Sequence, residues 1–299
     1  MTDEGRLQLF PNEKYISAFA YGASEEEAKS NAAAAISKSI QATVEIQAES
    51  SLSMAEQEGG YSEYRSLKKQ TKISASNTIY RLQYTSTYYD AHAGMYACLA
   101  FINRDEAWDA VEPALKNTEQ SFTAAYTAAM QEPDRLKRLM AIQKAQGLLE
   151  SFYALYDFAR FVAIQKARQY EALDTAIRQS YAETARLKNS VSIAIVITGD
   201  QEKRIYTKLA ELLSVAGLTL AEAADYTLQG EITYEISQAA KTYQCYPELV
   251  ITIGSANGTA VSYAKQIGKV AGFDTATVQR RVYQEIEKEL DNSFIKNIF

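Results

Sequence analysis

The alternation of hydrophobic and polar residues in the first third of the chain predicts a β-sheet. Between Tyr15 and Tyr21, small or branched apolar residues alternate with mostly aromatic ones. The predicted strands cover residues 15–21, 44–54, 67–89 with a bulge near Tyr80, and 95–102, with a hairpin tip at Gly59-Gly60. This order predicts one helix packed on an antiparallel sheet of three or four strands.

The helix of this region is predicted by a start signal followed by helical spacing. Gly22 ends the first strand, and Ser24 with Glu27 forms a capping box, in which each satisfies a free amide of the first turn. Apolar residues then recur every three or four positions from Ala28 to Ile40. These residues form a narrow face of small side chains that suits close packing on a sheet.

The middle of the chain, from 103 to about 188, is predicted to be entirely helical. Good helix formers dominate it, and Gly147 is its only glycine. Pro133 ends one helix and suits the start of the next. A second break is expected between Gly147 and Asp157, because the remaining stretch is too long for one compact helix, which gives three helices in all.

The last third returns to a mixed pattern of strands and helices. The continuous apolar run from 191 to 197 is typical of a buried strand. A helix is expected from Gly199-Asp200 to Gly217, and a last helix carries apolar residues from Val278 to Leu290. Further strands are predicted at 218–220, 226–237, 249–253 and 260–270, with a turn at 254–258.

The predicted fold class is therefore α+β, divided into three regions. Residues 1–103 form a helix-on-antiparallel-sheet domain, 104–189 form a helical hairpin or three-helix region, and 190–299 form a C-terminal α/β domain. The length of 299 residues fits two domains or one domain with a large insertion.

Composition narrows the function classes. The formal charge is −6, from 31 basic and 37 acidic residues, so the chain repels phosphate backbones and nucleic acid is not an expected partner. Cys98 and Cys245 form no CxxC pair, and Cys98 is expected to be a buried thiol. No run approaches the roughly 20 apolar residues that span a bilayer.

The residues that most catalytic chemistry requires are scarce. His92 is the only histidine, so neither a hydrolase triad nor a metal site has enough ligands or bases. We therefore expect no enzyme activity, no catalytic residue, no cofactor and no metal.

One junction is a candidate site for an anion or other ligand. Gly199 and Asp200 stand between a predicted strand and a predicted helix, and helix N-termini attract anions. Asp200 would itself occupy that position if it caps the helix. The glycine-bounded segment 254–258 opens no helix and is interpreted as a hairpin turn.

A strand, a glycine, a capping residue and a helix follow one another twice in the chain. The first copy contains Gly22 and Ser24, and the second contains Gly272 and Asp274. Any strand-to-helix junction could have this pattern, so a repeat and a coincidence remain equally open.

The N-terminal third resembles the Lpp-twenty family of bacterial lipoproteins. The resemblance is carried by Tyr15-Ile16-Ser17-Ala18, Tyr21-Gly22, Ser24-Glu25-Glu26-Glu27-Ala28, the helix through Ile40, the alternating residues 44–54 and Met95-Tyr96-Ala97-Cys98-Leu99-Ala100. The segment Ala224 to Ile232 is similar to α/β modules of envelope-assembly lipoproteins. The resemblance implies an exported protein with an N-terminal lipidated cysteine and no catalytic residues.

The expected function is that of a non-enzymatic cell-envelope lipoprotein acting in assembly or scaffolding through contacts with other envelope proteins. It would lie on the periplasmic side, lipid-anchored if the native precursor has a lipobox, or in the cytoplasm if Met1 is the native start. The alternative is a small-ligand-binding module with a pocket between the C-terminal sheet and the helical region. The sequence leaves the oligomeric state open.

Overall fold

A computed structural model of the chain describes residues 3–58, 64–65, 80–239 and 241–294. The predicted hairpin tip at Gly59-Gly60 lies outside the described residues, and so does the part of the predicted 67–89 strand region that covers 67–79. Several sheets combine with a helical middle section, which confirms the α+β class.

The helices are α1 (Asp3–Leu9), α2 (Glu25–Glu58), α3 (Arg104–Met130), α4 (Arg135–Gln146), α5 (Phe152–Ala167), α6 (Glu171–Ser190), α7 (Arg204–Val215) and α8 (Thr275–Glu289). The strands are β1 (Tyr15–Gly22), β2 (Leu82–Tyr84), β3 (Tyr88–Asp90), β4 (Met95–Asn103), β5 (Ser192–Thr198), β6 (Thr219–Leu220), β7 (Tyr226–Thr233), β8 (Ser237–Ala239), β9 (Thr242–Cys245), β10 (Glu248–Ser255), β11 (Gly258–Gln266) and β12 (Val270–Gly272).

The chain forms two compact units. Unit 1 contains Met1–Tyr126 and Ala145–Glu183, and unit 2 contains Thr127–Lys144 and Thr184–Phe299. The division into three regions, with boundaries at 103 and 189, stays a prediction.

Unit 1 contains the predicted helix on an antiparallel sheet. Strand β4 pairs with β1 on one edge and with both β2 and β3 on the other. One face of this sheet packs with α2, where Ala32, Ile36 and Ile40 are buried at the predicted spacing. The Ser24 hydroxyl accepts the Glu27 amide at 3.2 Å, as the capping box predicts, and the Glu27 carboxylate accepts the amide of the preceding residue, Ala23, at 2.8 Å.

The predicted strand at 44–54 is wrong, because α2 continues to Glu58. Val44 is buried one helical turn beyond Ile40 and therefore extends the helical face. Ile46 is 70% exposed, whereas a strand with the predicted alternation would have buried it with Val44. The first few residues of this segment fit both the strand period of two and the helical spacing. The side chains that are buried follow the helical spacing.

The helical middle section has more breaks than predicted. The expected break near Gly147 is confirmed by a 3-10 turn at Gly147–Leu149 before α5. A further 3-10 turn at Arg168–Tyr170 separates α5 from α6, so the predicted three helices become four. The helices within unit 1 share a core with α2 and β4, in which Trp108 and Phe122 are buried.

Buried polar side chains cross-link the helices of unit 1. The Tyr153 hydroxyl donates to Asp174 Oδ1 at 2.6 Å, and Tyr64 donates to Tyr153 at 3.0 Å. Asp174 also pairs with Arg178 one turn along α6. Burial raises the pKa of Tyr153 well above its ordinary value, so the phenol stays protonated and acts as a donor.

Unit 2 is built on a five-stranded sheet with the order β11-β10-β7-β5-β6. The connection from β5 through α7 to β6 makes a parallel pair, β5 is also parallel to β7, and the β7–β10 and β10–β11 pairs are antiparallel. Helix α7 begins at Arg204 rather than at Asp200 and is followed by Gly217 with φ +81°, as expected of a C-terminal glycine. A small sheet, β12-β9-β8, packs with α8.

Candidate functional site

The predicted site at Gly199 and Asp200 lies at the carboxyl ends of the parallel strands β5 and β7. Gly199 has φ +79°, and a Cβ at this position would lie 2.6 Å from the carbonyl oxygen of Ile232 on β7. A side chain is therefore excluded on two grounds, backbone conformation and close approach. Open α/β sheets bind ligands at this end, so the location fits a binding site.

Asp200 occupies the N-terminus of α7 with its own carboxylate. Its two oxygens accept the backbone amides of Ile205 at 3.1 Å and Tyr206 at 2.8 Å. An external anion would have to displace this carboxylate to reach these two amides. The anion site at Gly199 and Asp200 remains a prediction, and these contacts favour a ligand that is not an anion.

A buried tyrosine holds the turn after β5 in place. The Tyr283 hydroxyl of α8 donates to the Gly199 carbonyl and accepts the Gln201 amide, both at 2.8 Å. Gln279 of α8 donates to the side chain of Gln201 at 2.5 Å. The turn is thus hydrogen-bonded to a helix and is preorganised before any ligand arrives.

An open cleft of about 590 Å³ lies at this end of the sheet. Its lining is polar and aromatic and consists of Gly199, Gln201, Ile232, Thr233, Tyr234, Glu235, Tyr246, Glu248 and Gln266. Tyr246 is 57% exposed, whereas burial raises the pKa of Tyr234. The only ionisable side chains other than tyrosine in this lining are two glutamates, so the cleft is electronegative.

The sheet of unit 2 has one covered face and one exposed face. Along β7, buried residues alternate with Thr227, Gln229, Glu231 and Thr233, all but the first of which are exposed. The strand register places Glu248 beside Thr233 on one side and beside Gln266 on the other. We call the exposed side of β5, β7, β10 and β11 the outer face.

Strand β11 forms an edge of this sheet and pairs only with β10 among the described residues. Ile267 donates its amide to Pro247 at 2.8 Å, which fixes the phase of the antiparallel ladder. Because bonded and non-bonded positions alternate, Lys265, Tyr263 and Val261 direct their amides towards β10. Ser262 and Ala264 therefore direct their backbone amides and carbonyls away from the sheet.

The residues considered for catalysis lie elsewhere. His92 follows Asp90 in a turn, and Asp90 accepts its backbone amide at 3.0 Å. No group of three or more His, Cys, Asp or Glu that could hold a metal ion is found within the described part of the chain. Cys98 and Cys245 are both buried thiols, as expected for Cys98, and burial raises the pKa of each.

Sequence reasoning located Gly199 but missed Tyr246, Gln266 and the outward amides of β11. The polar residues at every second position of 227–233 indicate a strand with one exposed face. The edge position of β11 had no sign in the sequence, because strand order follows from pairing between distant segments.

Comparison with known proteins yields only distant likenesses. No family model and no curated protein matches the chain. It is similar to a minor lipoprotein from Acinetobacter baumannii, with 16% identity, 36% of this chain and 89% of that chain covered, and a TM-score of 0.28. It is also similar to the secreted protein HP1454 from Helicobacter pylori, with 13% identity, 94% and 98% coverage, and a TM-score of 0.38. At these TM-scores neither likeness carries an argument about this chain.

Throughout the described ranges, the helices all lack the combination of length and apolar character that crossing a bilayer requires.

Proposed function

We propose that this chain is a non-enzymatic cell-envelope protein that acts in assembly or scaffolding by binding other proteins. Its partner adds a strand to the open edge of β11. The observation that carries the proposal is the row of outward backbone groups at Ser262 and Ala264 on this nine-residue strand. Such a row is a template for pairing with another chain.

The chemistry of β11 supports this use. Exposed edges are usually protected by proline, by several charged residues or by shortness, and β11 has no proline. Its one charged residue, Lys265, is paired with Glu289 of the same unit at 3.2 Å. The opposite edge of the sheet is β6, which has only two residues, so β11 offers the longer docking edge.

The proposed location is the periplasmic side of the cell envelope, with a lipid anchor on the precursor. It is supported by the resemblance of the N-terminal third to Lpp-twenty lipoproteins. The order of strand, glycine, cap and Ala-rich helix on which that resemblance depends is present in β1 and α2, although the resembling segment 44–54 is helical.

The test uses a proline that blocks only the free edge. Ala264→Pro removes an outward amide and leaves the bonds to β10 in place, whereas Ala264→Val keeps the amide. A photocrosslinking amino acid at position 262 would be exposed to solubilised envelope proteins of the source cells. We expect a discrete protein adduct that survives Ala264→Val and is lost with Ala264→Pro, while both variants keep the parent melting temperature. An adduct that is unchanged by the proline, or no adduct at all, would contradict the proposal.

A second candidate function is small-ligand binding in unit 2. The observation that favours it is the cleft at the carboxyl ends of β5 and β7, where the Tyr283 hydrogen bonds fix the turn that contributes Gly199 and Gln201. A ligand that binds the native state should raise the melting temperature of the protein. This candidate depends on the end and face of the sheet, not on the edge of β11.

A further inference from the structure

We infer that the outer face of the unit 2 sheet binds a neutral, polyhydroxylated chain, that is, an oligosaccharide. The inference rests on the second candidate function, ligand binding, and is independent of strand addition at β11. Its basis is the placement of hydroxyl, amide and carboxylate groups in rows across four strands.

The rows follow from the strand register. The first row contains Val196, Gln229, Thr252 and Ser262, the second Thr198, Glu231, Val250 and Ala264, and the third Thr233, Glu248 and Gln266. Neighbouring side chains in such rows are about 5 Å apart. Eight of these eleven side chains can form hydrogen bonds, and the other three, Val196, Val250 and Ala264, are small and apolar. This mixture matches the hydroxyl and C–H surface of a sugar.

Clefts at both ends of this face extend the surface. The cleft with Thr233, Glu248 and Gln266 lies at one end, and a second cleft of about 440 Å³ at the other end includes Thr227, Gln229 and Thr252. Thr233 follows Thr227 by six positions, or about 20 Å at the rise of a β-strand. The surface is therefore long enough for several sugar units rather than for one small molecule.

The charge of the face selects against anions. No Lys, Arg or His lines either cleft, and Glu248 and Glu235 make the first one electronegative. Phosphates and acidic sugars are therefore repelled. Carboxylates and glutamine amides accept or donate hydrogen bonds to neutral hydroxyl groups, and the exposed ring of Tyr246 offers a flat apolar surface at one end.

The face is also rigid before binding. Its side chains stand on strands paired on both sides, apart from β11, so little backbone freedom is lost when a ligand binds. Binding by such a shallow surface is expected to be weak and to fall off gradually as single hydroxyl or amide groups are removed.

The test is a titration of the ¹⁵N-labelled full chain, observed by NMR. The probes are cellotetraose and tetra-N-acetylchitotetraose, with spermidine and inorganic phosphate as charged comparators at equal concentration. We expect one of the tetrasaccharides to shift the amide resonances of Thr227, Gln229, Thr233 and Thr252. Gln229→Ala should weaken this binding at least threefold, and Gln41→Ala, at an exposed glutamine of α2, should leave it unchanged.

Three results would overturn the inference. The first is that neither sugar shifts any amide resonance at about 10 mM, a concentration at which weak binding is detectable. The second is a set of shifts confined to residues outside the outer face. The third is stronger binding of spermidine that Glu248→Gln abolishes, which would identify a cation site. Strand addition at β11 has its own readout, the Ala264→Pro crosslink, so the two proposals fail separately.

Discussion

The junction between β1 and α2 and the junction between β12 and α8 are built alike, although they lie in different units. In each, a glycine ends the strand, the residue two positions later caps the helix, and the seventh helical residue donates back to the carbonyl before the glycine. These residues are Gly22, Ser24 and Asn31 in the first junction and Gly272, Asp274 and Arg281 in the second.

The two junctions differ in what faces the glycine. A Cβ on Gly22 would lie 2.3 Å from the backbone nitrogen of Ala28. A Cβ on Gly272 would meet methyl groups of Thr277 and Val278 at 3.1 Å, and the nearest backbone nitrogen at 3.2 Å. Methyl groups can shift slightly and a helix backbone cannot, so the same sequence pattern has two different tolerances.

The largest expected effect is that of Gly22→Ala. The new methyl group overlaps the first turn of α2, which should cost about 3 kcal/mol of unfolding free energy. Trp108, the only tryptophan, is buried in unit 1, so its fluorescence reports the unfolding of that unit. The urea midpoint should fall by about 1 M or more.

Gly147→Ala provides a matched control in the same unit. Nothing lies within 4 Å of a Cβ at Gly147, and its φ is not positive, so Ala should be neutral or slightly stabilising. Equal midpoints for the Gly22 and Gly147 variants would show that the close approach at Gly22 is not real.

Gly272→Ala should cost less, about 1 kcal/mol, because methyl groups can give way. The loss should appear as faster hydrogen exchange in α8, while the Trp108 transition stays where it is. A loss as large as that of Gly22→Ala would erase the proposed difference between the two junctions.

The second junction should weaken in acid because its cap is charged. The amide and hydroxyl hydrogen bonds of Thr277 lower the pKa of Asp274 below its ordinary value. A depressed pKa means that the stabilisation is present above about pH 4 and is lost as the pH falls through the folded value. Hydrogen exchange at the start of α8, corrected for intrinsic rates, should therefore stay constant from pH 6 to about pH 4 and accelerate as the pH falls further.

Asp274→Asn separates charge from capping. Asn also caps helices but does not titrate, so this variant should lose the additional acid dependence of α8. The same acid dependence in the Asn variant would place its source elsewhere.

The smallest effects are expected at the seventh helical residues. Asn31→Ala and Arg281→Ala each remove one exposed side-chain hydrogen bond to a strand carbonyl, worth about 0.5 kcal/mol. Each should change hydrogen exchange only in its own helix. A loss of stability larger than that of Gly272→Ala would mean that this hydrogen bond to the strand carbonyl, rather than the glycine, holds the junction.

Local signals in the sequence predicted local structure well. The capping box at Ser24, the break near Gly147 and the glycine after α7 are all fixed by residues within one or two turns of one another. The same holds for both junctions, whose hydrogen bonds join residues close in sequence.

Features that depend on tertiary packing, on distant pairing or on the exact start of a helix were not predictable. Val44 fits a period of two and a period of four equally well, and only its burial beside Ile40 decides for the helix. The cleft brings together Gly199, Thr233, Tyr246 and Gln266, which are separated by many residues. Asp200 was expected near a helix start, but its reach to Tyr206 across a 3-10 turn was not.

The central claim is that unit 2 presents an open strand edge for contact, and hydrogen exchange of single amides in β11 tests it most directly. The purified protein alone should show fast exchange at Ser262 and Ala264 and slow exchange at Val261, Tyr263 and Lys265, because only the second set bonds to β10. Equal, strong protection of all five amides would show that the edge is already covered, and it would contradict the account.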